Sequence, residues 1–343
     1  MRQKLVVFVV GLSVLIALGV GEVRQRWAAP LPIPQEGYIL VVEKGDSLRK
    51  AADRLHKAGI LPYPQLLALY GRWTGLDQQI KRGEYLLAQN TTAESLLTAL
   101  HRGDVIQYHV TLPEGITLAS ALDILAAEEK LERTLTGGDD ARILELIQPE
   151  AHPEGLFFPD TYRYVRGDTD ISILQRAHRA MLATLEEEWD NRAEQLPYDT
   201  PYEALIMASI IERETGLPEE RQQISGVFVR RLEQGMLLQT DPTVIYGLGD
   251  TFDGNLQRRH LKEDDNLYNT YRNSGLPPTP IALPGRAAIH AALHPDAGSA
   301  LYFVARGDGG HVFSDTLNEH NRAVRQYQLQ RRKDYRSTPE KSP

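Results

Sequence analysis

Residues Ala204 to Thr215 read ALIMASIIERET. Apolar side chains fall all round this pattern, at Ala204, Leu205, Ile206, Met207, Ala208, Ile210 and Ile211, and a helix apolar on every side belongs in a domain interior. It ends in Glu212 and Glu214, ahead of Gly216 and Pro218, both helix-stop signals. A carboxyl carried inward is costly unless it is paired or protonated. Pairing has candidates close in sequence, Arg213, Arg221, Arg230 and Arg231; catalysis is the other explanation. Two positions apart on a helix is roughly 200°, so the two acids face nearly opposite ways. Glu214 stands over Ile211, Ile210 and Met207, whereas Glu212 stands over Ser209, Ala208 and Leu205. This predicts Glu214 as the more desolvated acid, with a raised pKa, and Glu212 as wetter and structural or orienting. The negative end of the helix dipole pushes Glu214 the same way. A carboxyl held protonated near neutrality suits a general acid.

The chain has 343 residues, 42% of them hydrophobic, which allows two or more globular domains. A net charge of −8 without a strongly basic segment argues against nucleic acid as a partner. The lack of cysteine excludes disulfides, a Cys-linked lipid, Cys-type zinc sites and thiol catalysis. His294-Pro295, His311 and His320 show no regular metal spacing, and no phosphate loop stands out, so no metal and no cofactor are expected.

Leu5–Gly21 runs 17 residues without a charge, at the short end for a membrane-spanning helix and with no clear cleavage site behind it. It is read as a retained anchor with the polar remainder outside the cytoplasm. Pro30, Pro32 and Pro34 predict a stiff linker over residues 29–37. Tyr38–Val42 alternates like a strand, and Lys44-Gly45-Asp46-Ser47-Leu48 then opens a helix, with Gly45 turning the chain and Asp46 or Ser47 capping. The pattern returns 70 residues on, where Gly115, Thr117, Leu118 and Ala121 match Gly45, Ser47, Leu48 and Ala51. Thr91 to Glu94 predicts a capping box between them. From Pro153 the composition changes: EGLFFPDTY, then helical patterns over 171–194, 201–215 and 219–234, then turns rich in Tyr, Asn, Gln and Asp. Such residues furnish sugar clefts, and each alone also fits an ordinary turn.

The strand–KGDSL–helix start resembles LysM, a small module that binds N-acetylated glycans. The runs ASIIERETG, VFVRRLEQGMLLQTDPTVIYG, YNTY, GLPPTPIALPG, HP, YFV and GGHVFSDTLNEHN resemble the MltG (YceG-like) family of endolytic murein transglycosylases. The resemblance covers most of residues 150–325 and is looser in the N-terminal half. It implies an α+β fold: cytoplasmic tip, membrane helix and linker over 1–37, a LysM-like module over 38–105 and a connecting α+β segment over 106–150. A mixed α/β catalytic domain with a buried catalytic helix follows over 151–330, then a polar tail over 331–343.

The resemblance further implies a single-pass protein of the bacterial inner membrane with its catalytic region in the periplasm. There the family cleaves the MurNAc–GlcNAc β-1,4 bond of nascent peptidoglycan, forms 1,6-anhydroMurNAc ends and so limits strand length. Peptidoglycan synthases are candidate partners. The family's E-K-E-T motif falls on Glu212-Arg213-Glu214-Thr215, which transfers the catalytic role to Glu214 and leaves Glu212 second. Gln239, Asp241, Tyr246, Asn269 and Tyr271 are expected to line the sugar cleft. Two rivals stay open: a lysozyme-type hydrolase, with Asp241 or less well Asp160 as second carboxylate, and a non-catalytic glycan-binding scaffold.

Overall fold

The computed structural model describes residues 21, 22, 25, 27–78 and 80–329. The anchor stretch lies outside them except for Gly21, as does the polar tail. Among the described residues no helix is long and apolar enough to cross a membrane. The described chain is a mixed α+β structure with three two-stranded sheets, and it divides into two compact units.

The first unit takes the described residues up to His109 together with Glu129–Glu132 and Arg163–Thr169. Strand β1 (Tyr38–Val42) is followed by helices α1 (Leu48–Lys57) and α2 (Pro64–Thr74), strand β2 (Gly83–Leu87) and helix α3 (Ala93–Arg102). β1 and β2 pair antiparallel, Tyr38 opposite Leu87 and Val42 opposite Gly83. The expected turn forms: Gly45 takes φ +83°, open to glycine without strain, and Ser47 caps α1 by accepting from the Lys50 amide. Leu48, Ala51, Ala52 and Leu55 recur at i, i+3, i+4 and i+7, and all four are buried against Leu40, Tyr85, Leu87 and Leu97. The capping box lies one residue beyond its predicted start, between Thr92 and Ser95. Buried Glu84 receives the Tyr108 hydroxyl, Arg166 Nη1 at 2.9 Å and Lys130 Nζ at 3.7 Å, which ties the distant segments into this unit.

The stiff linker expected over residues 29–37 is packed into the first unit. Residues 29–37 are not a free spacer: Leu31 and Ile33 are buried, the Leu31 amide donates to Thr91 O at 2.8 Å, and Pro30 bridges Thr92. Two apolar residues set among the prolines gave the segment something to bury, and burial outweighed the stiffness of an extended chain.

The segment read as a connector, 106–150, is shared out. Strands β3 (Tyr108–Thr111) and β4 (Thr161–Tyr164) pair, and the boundary between units falls inside both. Residues 110–128 and 133–162 join the second unit with the described residues from Asp170 on. Its elements are α4 (Leu118–Ala127), α5 (Ala141–Leu146), α6 (Asp170–Asp190), α7 (Pro201–Glu214), α8 (Arg221–Glu233), α9 (Asp241–Leu248), α10 (Arg286–Leu293), the antiparallel hairpin β5 (Tyr302–Ala305)–β6 (His311–Ser314), and α11 (Leu317–Val324). The turn motif recurs at Gly115, φ +76°, with Thr117 capping α4.

Helix α7 is the centre of this unit, packed against α6, α8, α9 and α10. Thr200 and Glu203 close its capping box, Pro201 opens it, and every residue from Ala204 to Ile211 is buried. Each large apolar side chain so enclosed contributes roughly 1.5–3 kcal/mol. Shifting the helix end would disturb several of them at once. Residues 279–285 run along α7: the Ile281 amide donates to Ser209 Oγ at 3.0 Å, and Leu283 exchanges backbone bonds of 2.8 Å with Gly115 and Ile116. Gly155, at φ +80°, touches the same segment so closely that a Cβ there would lie 2.3 Å from Pro280 Cβ.

Gly155→Ala combines a left-handed backbone with overlap against a rigid ring and should cost upward of about 2 kcal/mol. Gly275→Ala, with φ +81° and open space around it, should cost only the backbone strain. Denaturant unfolding midpoints check the difference; equal costs would mean that the Pro280 contact is slack.

Candidate active site

The last turn of α7 delivers Glu214 beside residues 239–243 at the start of α9. Thr240 Oγ1 donates to Glu214 Oε1. Thr240 is itself fixed: its amide donates to Thr270 Oγ1 at 3.1 Å, its carbonyl accepts from Thr243 Oγ1 at 2.8 Å, and the hydroxyls of Thr243 and Thr270 lie 2.9 Å apart. All three threonines are buried. Arg231, buried in α8, donates to the carbonyls of Leu238 at 2.7 Å and Leu301 at 2.7 Å, which pins the approach to Thr240. Glu214 keeps part of its surface open to solvent. Burial pushes its carboxyl up to about 7; the Thr240 bond and the Arg231 charge pull the other way, and the Asp241 charge adds to the rise.

Glu212, on the other side of the helix, is held by different partners. Its Oε2 accepts from the Gly285 amide at 3.0 Å, and Arg221 Nη2 stands 3.9 Å from Oε1. Glu212 is less desolvated than Glu214, as predicted, yet with its side chain only 7% exposed it is far from wet. Ser209 is spent on the Ile281 amide, and the 283–285 segment with Arg221 and Gly115 closes over the acid. Burial raises its pKa too, with the Gly285 amide opposing. Next to it, Arg213 donates to Gly115 O at 2.9 Å. Of the arginines expected as partners, Arg221 stands beside Glu212 and Arg231 acts on Glu214 through its charge.

The predicted cleft residues part company. Asp241 is exposed and accepts from the Tyr271 hydroxyl at 2.6 Å, next to Thr240 in the chain. Burial and the Asp241 charge push Tyr271 well above the usual phenol range, with the Glu214 charge also contributing. Gln239 is exposed and takes the left-handed φ of +51°. Tyr246 reaches another acid, donating to Glu154 Oε2 at 3.2 Å, with its ring edge-on to Tyr268 at 4.9 Å. Asn269 does not line a cleft. It is fully buried; its amide donates to the carbonyls of Glu263 at 2.8 Å and His260 at 3.3 Å, and its oxygen accepts from the Tyr271 amide. A polar side chain on a turn had enough backbone groups to satisfy without any ligand.

Thr240 and Glu154 are the residues that sequence reasoning missed. Glu154 is buried, accepts from the Leu118 amide at 2.9 Å, and is pushed up to about 7 by burial, against that bond and the Tyr246 hydroxyl. A groove of about 530 Å³, lined by α4, residues 133–139 and His152 to Glu154, reaches it and does not include Glu214. An acid ahead of a glycine and an apolar run was the available signal. Metal-capable atoms of Glu188, His290 and His294 also converge to within 4.8 Å. Arg286 already pairs with Glu188 at 2.9 Å, and the His294 nitrogens face the carbonyls of His290 and Asn191, which makes the group an ion-pair cluster joining α6 to α10.

The chain has relatives among known proteins. The sequence model of the YceG-like family matches residues 40–326, from β1 to the end of α11. The chain belongs to the YceG-like family. An endolytic murein transglycosylase of Bacillus subtilis (strain 168) is 31% identical to this YceG-like chain over 304 residues, 83% of the chain and 83% of that protein. An endolytic murein transglycosylase of Streptococcus pneumoniae serotype 2 is 27% identical over 93% of the chain, which spans 64% of that protein's length. The crystal structure of a yceG-like protein from Listeria monocytogenes matches with a TM-score of 0.54 and 27% identity, covering 84% of this chain and 99% of that one.

For the YceG-like chain the two polar turns should behave differently. Asn269→Ala strands buried backbone groups and should cost about 1–3 kcal/mol of stability. Gln239→Ala, at an exposed side chain, should stay within about 0.5 kcal/mol. Urea unfolding of both variants tests this, and a stable Asn269→Ala protein would return that residue to the cleft.

Proposed function

We propose that this chain is an endolytic peptidoglycan lytic transglycosylase and that Glu214 is its general acid and base. The supporting observation is the Glu214 carboxyl itself, raised to about 7 at the end of a buried helix and held by Thr240. Protonated Glu214 gives its proton to the glycosidic oxygen leaving C1 of N-acetylmuramic acid. As carboxylate it then takes the proton of the C6 hydroxyl of the same residue, whose oxygen closes onto C1. The products are a free GlcNAc hydroxyl and a 1,6-anhydroMurNAc end, and Glu214 regains its proton. One carboxyl suffices because the nucleophile is intramolecular and already positioned. Glu212, bonded to the Gly285 amide, orients the 279–285 segment that leads into α10.

Asp241 and Tyr271, bonded to each other and electrostatically coupled to Glu214, are assigned to the sugar cleft together with Gln239; Tyr246 and Glu154 are assigned to its extension. Leu5–Gly21 anchors the chain in the inner membrane with both units in the periplasm. The first unit acts as a LysM-like glycan-engaging module, a reading supported by the Gly45 turn and the Ser47 cap. Cleavage of nascent strands limits their length, next to the synthases that make them.

Mass analysis of digested peptidoglycan tests the reaction: anhydro ends are expected, reducing ends would make the enzyme a hydrolase, and no cleavage would leave a binding scaffold. Glu214→Gln should lower turnover by about 10²–10⁴-fold or more, and Glu212→Gln by less. The reverse pattern in folded proteins would move the role to Glu212.

Thr240 favours the ionised form of Glu214, so Thr240→Val should raise that pKa and carry the basic limb of the turnover profile to higher pH. A limb that stays put or moves down would separate the two groups. A carboxyl raised from 4.5 to about 7 holds its proton more tightly when folded. Its ionisation therefore costs stability as pH rises from the unfolded value through the folded one. Glu214→Gln should thus gain stability over the parent at pH 8 and show no such gain at pH 4.

A further inference from the structure

Helix α2 breaks the usual division of a surface helix into an apolar inner and a polar outer face. Pro64, Leu67 and Gly71 face inward and are buried. The opposite face presents Leu66, Leu69, Tyr70 and Trp73 at three- and four-residue spacing. Leu69 is 66% exposed and Trp73 81%. Residues 59–71 contain no charged side chain, and Arg72 stands at the edge of the face. A groove of about 710 Å³ lies alongside, lined by Trp27, Pro30, Pro32, Pro62, Tyr63 and Leu66. The Trp27 and Tyr70 rings lie 4.6 Å apart, and those of Tyr70 and Trp73 6.0 Å, so groove and helix face make one surface.

We propose that this surface of the first unit sits in the headgroup boundary of a lipid bilayer, as a second membrane contact beside the anchor. The proposal rests on the reading of Leu5–Gly21 as a retained anchor. Trp27 follows Gly21 by six positions, a chain length that spans at most about 20 Å. The packed 29–37 segment provides no spacer to lift the unit away. A tether this short keeps the face at high effective concentration against lipid, whereas a glycan or a second copy must be found by diffusion. The chemistry suits the boundary: Trp and Tyr rings favour the interface, leucines favour the acyl side, and Arg72 can reach phosphate with its stem in the apolar layer. The contact would fix the height of the first unit above the bilayer.

The test uses the full chain in liposomes with Trp27→Phe and Trp189→Phe, which leaves Trp73 as the remaining tryptophan of the three. Lipids brominated near the headgroup should quench most of the Trp73 emission, and aqueous iodide should quench little. Leu69→Glu, a substitution at an exposed site, should reverse both, raising iodide quenching several-fold while the protein still floats with the liposomes. Trp73 open to iodide in a floating, folded parent would overturn the proposal and leave the anchor standing. Trp73 shielded from both quenchers would overturn it by assigning the face to another protein or glycan. A chain that does not float at all would remove the anchor and this proposal together.

Discussion

A carboxyl at the end of a helix with no polar face is the constraint on which the second unit depends. Helix α7 can move little, because its eight central residues are all enclosed. Glu214 is therefore delivered to a fixed point, and its neighbourhood is built to suit. Arg231 holds residues 237 and 238, Thr270 and Thr243 hold Thr240, and Thr240 donates to the acid. The proton of Glu214 is set by a balance in which burial outweighs one hydroxyl and one guanidinium. The same helix carries Glu212 on its far side, where the Gly285 amide stitches the 279–285 segment to the core. One helix thus carries two inward acids with different partners, separated by their two-residue offset.

The helix was legible because it follows local rules. Apolar residues all round predicted burial, Gly216 and Pro218 fit a stop, and the structure runs from Pro201 to Glu214. The turns at Gly45 and Gly115 were legible for the same reason: a glycine at positive φ followed by a capping hydroxyl. The setting of Glu212 was not. Its helical neighbours are small and polar, but segments remote in sequence close over it. Asn269 misled in the opposite sense, since a turn asparagine can serve carbonyls as readily as sugars. Thr240 carries no periodic signature, and only the tertiary pairing of residues 239–243 with 269–271 brings its hydroxyl to Glu214.

The first unit shows how composition can misdirect. Three prolines in nine residues argued for a stiff spacer, yet Leu31 and Ile33 between them are buried and the segment folds in. The same unit leaves its apolar surplus on α2, the reverse of what a domain surrounded only by water would do. The two features meet in space, where Pro30, Pro32 and Leu66 line one groove and the Trp27 ring lies against Tyr70.

The central claim is that Glu214 carries a proton near neutral pH, and the titration of that one carboxyl tests it most directly. Carbon-13 NMR of the protein labelled at glutamate Cδ, with Glu214→Gln used to identify the signal, follows it from pH 4 to pH 9. The account predicts a midpoint near 7, well above the solvent-exposed glutamates of the same spectrum. A Glu214 signal that titrates with those glutamates would contradict it, because a carboxyl ionised at neutral pH has no proton to give the leaving oxygen.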